Sequence, residues 1–98
     1  DHPFMLERPL GSRHPGFPDI IYPLDYGYLK DTTSPDGDAI DAWLGSHSGV
    51  GICGVICTVD LHRNDAEMKV LIDCSDAEMA LVDDFHNQGL MRGRLIRR

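Results

Sequence analysis

The chain has 98 residues, of which 42% are hydrophobic and 26% charged, an ordinary balance for one soluble globular domain spanning residues 1–98. No apolar run approaches the ~20 residues that a membrane-spanning helix needs, and the formal net charge of −7 opposes binding to nucleic acid or anionic membranes. The charge is unevenly spread: all sixteen acidic residues precede Arg92, and four of the nine basic residues are Arg92, Arg94, Arg97 and Arg98. The acidic body suits divalent cations, which in turn attract a polyanion. Cys53, Cys57 and Cys74 are too few and too widely spaced for a disulfide framework, so buried free thiols and a reducing, cytoplasmic setting are expected.

Residues 3–7 read as a short strand that ends at the Arg8-Pro9 step, and residues 9–18, with three prolines and two glycines, as a loop. Residues 19–30 favour extended structure around Tyr22, Tyr26 and Tyr28, interrupted at Pro23. Residues 31–38 form a polar turn, Ile40 to Leu44 a strand, and Gly45 to Gly49 a second turn. The Val- and Ile-rich run 50–59 predicts a buried strand, and Asp60 to Ala66 a polar connection. Lys69 to Ile72 reads as the next strand. Ser75 followed by Glu78 is a capping-box signature, opening a helix of about three turns with Ala77, Leu81, Val82 and Phe85 as its apolar stripe and Gly89 as its stop. Residues 90–96 read as a last strand or an ordered tail. Short strands with one late helix predict a mainly β, α+β fold: a small antiparallel barrel or sheet with one packed helix.

The segment Asp36-Gly37-Asp38-Ala39-Ile40-Asp41 carries the chemistry. In an extended chain Asp36 and Asp38 project to one side, and a bend near Gly37 or Ala39 lets Asp41 join them. Converging carboxylates stay ionised together when cations bind, and magnesium prefers such oxygen ligands. A solvated acidic turn explains D-x-D spacing equally well, but Asp41 lies beside Ala42-Trp43-Leu44 in a strand that must pack, where a carboxylate needs a partner. An EF-hand is excluded: counting from Asp36, the glycine position holds Asp41 and the bidentate glutamate position holds His47. Trp43 is expected in the core.

These residues resemble soluble family I inorganic pyrophosphatases. DGDAIDA (36–42) is similar to the family's D-x-D-P-x-D signature, YPLDYGYL (22–29) to its YP-x-N-YGY strand, ERPLGSR (7–13) to its E-I-P-x-G-S-R segment, and Glu67-Met68-Lys69 stands where the family has D-x-K. The resemblance covers roughly residues 7–72 and implies an OB-like barrel that hydrolyses inorganic pyrophosphate to two phosphates with Mg2+, or Mn2+ as a substitute. It implies Asp36, Asp41 and Glu67 as metal ligands, Glu7 as a more distant one through water, Asp38 as the group orienting a metal-activated water, and Tyr26 and Lys69 as phosphate contacts. The family's hairpin between the SR turn and the YP strand is replaced by His14 to Ile21 alone, its acidic residue before the lysine aligns with His62, and its C-terminal Tyr-Lys pair has no match. Substitute cations are therefore sought in Arg13 and Arg63, with His14 and Lys30 as further candidates. A homo-oligomer is expected, with the C-terminal arginines docked on a neighbour's acidic body or, as the alternative, folded over their own or a neighbour's site to grip phosphate. Two alternatives stand beside this reading: a hydrolase of another small phosphoanhydride, and a non-catalytic, metal-dependent phosphate- or nucleotide-binding module on the same fold.

Overall fold

The computed structural model describes residues 3–35 and 37–98. Six strands and one helix follow in the order β1 (Phe4–Arg8), β2 (Asp25–Leu29), β3 (Ile40–Leu44), β4 (Ile52–Asp60), β5 (Asp65–Ile72), α1 (Asp76–Phe85) and β6 (Met91–Arg97). The strands form one sheet in the order β1-β2-β3-β5-β4-β6. The expected fold class is thus observed: a mainly β sheet with one packed helix. All pairings are antiparallel except β3 with β5. That parallel pair arises because the β4–β5 hairpin inserts its second strand, not its first, beside β3.

The hairpin turn is tighter than expected. Asp60, Asp65 and Ala66 of the polar stretch belong to the strands, leaving residues 61–64 to turn, with Asn64 in the left-handed region at φ 55°. Asn tolerates that region better than most side chains. The extended character expected over 19–30 is confined to β2 and to an isolated bridge between Arg13 and Ile21. In place of the expected strand or tail over 90–96, Met91–Arg97 forms a true strand, paired with β4 from Gly54 to Asp60. The arginines there are therefore not a free tail: Arg97 pairs with Asp76 at 2.7 Å, and Arg98 donates to the Ile52 carbonyl oxygen at 3.1 Å.

The capping box forms as expected. Ser75 Oγ accepts from the Glu78 N–H at 3.2 Å, and Glu78 Oε1 accepts from the Ser75 N–H at 2.9 Å. The buried stripe differs from the expected one. Met79 and Val82 are buried and Phe85 is partly so, whereas Ala77 and Leu81 face solvent. Met79, Val82 and His86 recur at helical spacing as the buried residues of this face. The helix ends with His86 as its C-cap, three residues before Gly89.

One cluster of buried residues forms the core: Trp43 from β3, Ile56 from β4, Leu71 from β5 and Val82 from α1, joined by Tyr22, Leu24, Cys74 and Met79. Paired residues on adjacent strands share a face, so the registers Trp43↔Leu71 and Ile56↔Lys69 make these inward-facing side chains contiguous. The β4 run is buried on that face alone. Cys57 and Val59 on its other face are exposed and Cys53 is half-buried, so the expected pair of buried thiols is not found there; only Cys74 is fully inside.

Candidate active site

Two residues from the core row along β3 and β5, the same sheet face turns polar. Asp41 lies two positions before Trp43, and Lys69 two before Leu71. The parallel register pairs Asp41 with Lys69, so strand alternation delivers both to the inner face. Tyr26 and Tyr28 follow on β2, opposite Trp43 and Asp41. Glu67 is one alternation further along β5.

The Lys69 ammonium is the hub of this row. Its side chain is only 8% exposed. It donates to Tyr26 Oη at 2.6 Å and makes longer contacts to Asp41 Oδ2 at 3.4 Å and Glu67 Oε1 at 3.3 Å. The ammonium also lies 5.0 Å from the Tyr26 ring centroid, a cation–π distance. The carboxylates retain contact with solvent, at 30% for Asp41 and 42% for Glu67. The Tyr26 phenol is held far above its ordinary value, first by burial and then by the charge and hydrogen bond of Asp41, with Glu67 and Tyr22 adding to it. It remains a protonated donor at any working pH.

Two clefts open from this row. The first, of about 630 Å³, includes Tyr26, Asp41, Glu67 and Lys69, and beyond them Asp60, His62, Arg63 and Asp65 of the β4–β5 turn. Its opposite side is aromatic. The second, of about 570 Å³, brings Asp38 together with Asp41 and Glu67. Asp41 and Glu67 therefore form the partition between the clefts.

The expected site residues fall into three groups. Tyr26, Asp41, Glu67 and Lys69 are in mutual contact or one side chain apart, and Asp38 joins them across the second cleft. Arg63 lines the first cleft, 3.6 Å from Asp65. Glu7 and Arg13 are placed elsewhere. Glu7 is the bulged residue of β1, between Leu6 and Arg8, and is exposed outside both clefts. Arg13 spends its guanidinium on its own loop, donating to the Pro18 carbonyl oxygen at 2.8 Å. Asp36 lies outside the described residues. Asp25, which stands where the pyrophosphatase pattern has Asn, accepts from the Leu10 N–H at 2.8 Å and ties the 9–18 loop to β2.

Among the described residues, no three His, Cys, Asp or Glu side chains are grouped to hold a metal ion. Carboxylate oxygens, the donor type that a hard divalent cation takes, do line one cleft. Asp38, Asp41 and Glu67 offer only carboxylate oxygens to one cleft, and a cationic group, the Lys69 ammonium, already stands within 3.4 Å of two of them.

Several cleft residues carry no motif. His86 is buried at the C-cap of α1, its Nε2 3.1 Å from Trp43 Nε1 and its Nδ1 3.2 Å from Met91 Sδ. Burial, with Lys69 adding to it, pushes the imidazole down to about 3, so it stays neutral and accepts the indole N–H. Phe17 stands on the aromatic side with Phe85, beside Tyr22 of the YPLDYGYL segment. The density of rings between residues 14 and 28 is the signal that marks them.

Solved structures share this arrangement of strands and helix. An inorganic pyrophosphatase from Neisseria gonorrhoeae superposes with a TM-score of 0.68 at 16% identity, covering 91% of this chain and 77% of that one. The fold is that of bacterial inorganic pyrophosphatases. One from Coxiella burnetii gives a TM-score of 0.65 at 16% identity, over 96% of this chain and 82% of that one. One from Helicobacter pylori gives 0.54 at 16% identity, over 98% and 75%. No protein-family model and no curated protein matches the sequence. Among the described residues, no helix is long and apolar enough to cross a membrane.

Proposed function

We propose that the chain is a magnesium-dependent phosphoanhydride hydrolase that cleaves inorganic pyrophosphate to two phosphates. The observation that carries this reading is the Tyr26–Lys69–Asp41–Glu67 cluster on the inner face of a pyrophosphatase-like sheet. Asp41 and Glu67, with Asp36 from the acidic segment, would hold the metal. When bound, magnesium would lower the pKa of an attacking water and offset phosphate charge.

The protein's own groups do the rest. Tyr26 stays protonated and donates a hydrogen bond. Lys69 has three N–H bonds, and its two carboxylate contacts are long enough to be exchanged for phosphate oxygens while the 2.6 Å bond to Tyr26 holds its position. Arg63 at the cleft mouth supplies a second cation, more exposed and so weaker. Asp38, facing the second cleft, orients the attacking water or accepts its proton. No covalent intermediate is needed: positioning and charge stabilisation suffice for phosphoryl transfer.

Phosphate release from pyrophosphate, with magnesium and with chelator, tests the proposal. Turnover that requires magnesium and falls by at least ~100-fold in Asp41→Asn is the expected result. Equal release in chelator sinks it. The binding-module alternative draws on Lys69 already neutralising Asp41 and Glu67; magnesium-dependent phosphate binding without turnover would establish that reading instead.

A further inference from the structure

We propose that this site also takes substrates that carry a planar organic group next to the phosphoanhydride, as a nucleoside diphosphate does; this rests on the hydrolase reading above and widens its substrate class beyond pyrophosphate. Three observations converge. The first is size. A cleft of about 630 Å³ lies within the ~300–1,000 Å³ of clefts that enclose drug-sized organic ligands, whereas the phosphate-binding end occupies only the part around Lys69. The second is its far wall. From Lys69 a run of rings leads outward: the Tyr26 and Tyr22 rings stack at 5.7 Å, the Tyr22 and His14 rings lie near parallel at 6.2 Å, and Phe17 leans on His14 at 5.3 Å. The third is exposure. Phe17 is 58% exposed, Leu90 58% and Ile20 37%, and all three line the same cleft. Large apolar side chains left open around a polar hydrolytic centre are suited to cover an apolar portion of a ligand.

The mouth also indicates which apolar portion. His62 and Gln88 stand in the same cleft and bring hydrogen-bonding groups to it. An aliphatic chain has no use for these, whereas a heterocyclic base stacks on rings and hydrogen-bonds at its edge. Base-on-ring stacking is sequence-tolerant and substantial, and one layer beside Phe17 and His14 places the diphosphate toward Lys69 and Arg63. For ADP the reaction balances as ADP plus water giving AMP plus phosphate. The water oxygen forms a bond to the β-phosphorus, the bond from that phosphorus to the bridging oxygen breaks, AMP leaves with the electron pair, and the water's proton passes to solvent.

The experiment measures kcat/KM for ADP, pyrophosphate and geranyl diphosphate with magnesium, and the Kd of magnesium·ADP by calorimetry. The expected result is turnover of ADP at least as efficient as that of pyrophosphate. In Phe17→Ala and, separately, in Leu90→Ala, the ADP-to-pyrophosphate ratio of kcat/KM should fall by about tenfold; both side chains are exposed, and circular dichroism checks the fold of each variant. Pyrophosphate turnover with neither turnover nor millimolar binding of ADP overturns this inference and leaves the hydrolase reading standing. Phe17-dependent binding of ADP without turnover of any substrate supports the inference and overturns the hydrolase reading. Preference for geranyl diphosphate, or an equal loss on ADP and pyrophosphate in both variants, overturns the aromatic assignment.

Discussion

Lys69 directs its ammonium to Tyr26, Asp41 and Glu67, so its charge and its position are coupled. Replacing it with Met keeps the length of the side chain and removes the cation. In Lys69→Met we expect kcat/KM for pyrophosphate to fall by at least ~100-fold, since a charge-assisted grip on the transferring phosphate is lost. Stability should fall by only about 1–3 kcal/mol, because Asp41 and Glu67 keep access to water and the main uncompensated loss is the hydrogen bond to Tyr26. Steady-state kinetics and urea unfolding check the two separately; undiminished turnover would remove Lys69 from the reaction. His86 behaves oppositely because it gains stability by staying neutral. Its folded value, pushed down to about 3, lies below its ordinary 6.5, so the unfolded chain binds a proton that the folded chain refuses. Its contribution is complete above pH 6.5 and is lost as pH falls toward 3. In His86→Gln, which can still accept the Trp43 indole N–H, the decline in unfolding free energy between pH 6 and 4 should be shallower by up to about 1.4 kcal/mol per pH unit. Parallel declines in the two proteins would show that carboxylates alone set the acid limit.

At the scale of elements, Gly27 explains why β1 can close on β2. It sits in the centre of β2 opposite Leu6 and Ala42, and a Cβ there would collide with the backbone carbonyl of Met5. Backbone cannot swing aside as a side chain can, so Gly27→Ala should cost roughly 1–3 kcal/mol or more and loosen β1 selectively. Hydrogen exchange should show the β1 amides losing protection before those of β4 and β5; uniform protection would refute this account of the close approach. The same scale shows which elements can be read without a structure. The capping box was legible because its two reciprocal bonds are local, and β3 because Ile40 to Leu44 lies between two turn signals. The helix stripe was not: Leu81 and Met79 suit an apolar face equally, and the choice falls to the shape of the sheet beneath. The parallel β3–β5 pair was also hidden, because the linear order of strands does not say which member of a hairpin docks on a distant one. Of the site, Tyr26, Asp41, Glu67 and Lys69 could be found because they stand in segments that resemble pyrophosphatase motifs, and alternation in three strands then sends them to one face. The bond from Arg13 to the Pro18 carbonyl was not legible, because it belongs to a loop conformation that sequence spacing does not define. His86 carried no signal, since a helix-capping histidine acquires its role only from Trp43, 43 residues away.

For the molecule as a whole, the balance of charge is the constraint that metal binding can relieve. Sixteen acidic residues act against nine basic ones, and four of those nine lie on or beside β6, where Arg97 and Arg98 are engaged with Asp76 and the Ile52 carbonyl and none lines either cleft. Among the described residues that line the clefts, the carboxylates of Asp38, Asp41, Asp60, Asp65 and Glu67 gather against Lys69 and Arg63 alone. A domain of this length has few kilocalories per mole to spare, so a ligand that binds only the folded arrangement raises its unfolding temperature appreciably. At ten times its Kd, magnesium should add about 1.4 kcal/mol, which for a domain of this size corresponds to roughly 5–10 °C in Tm. Sodium chloride at matched ionic strength should give a much smaller rise, because screening acts on all charges and orders none. Asp41→Asn should abolish the magnesium increment while preserving the response to sodium chloride, since it keeps the shape of the wall shared by both clefts and removes the carboxylate charge. Thermal unfolding of the two proteins in the two salts distinguishes coordination from screening: an equal rise with magnesium in Asp41→Asn would mean that the acidic face attracts cations as a diffuse cloud, without a site at its centre.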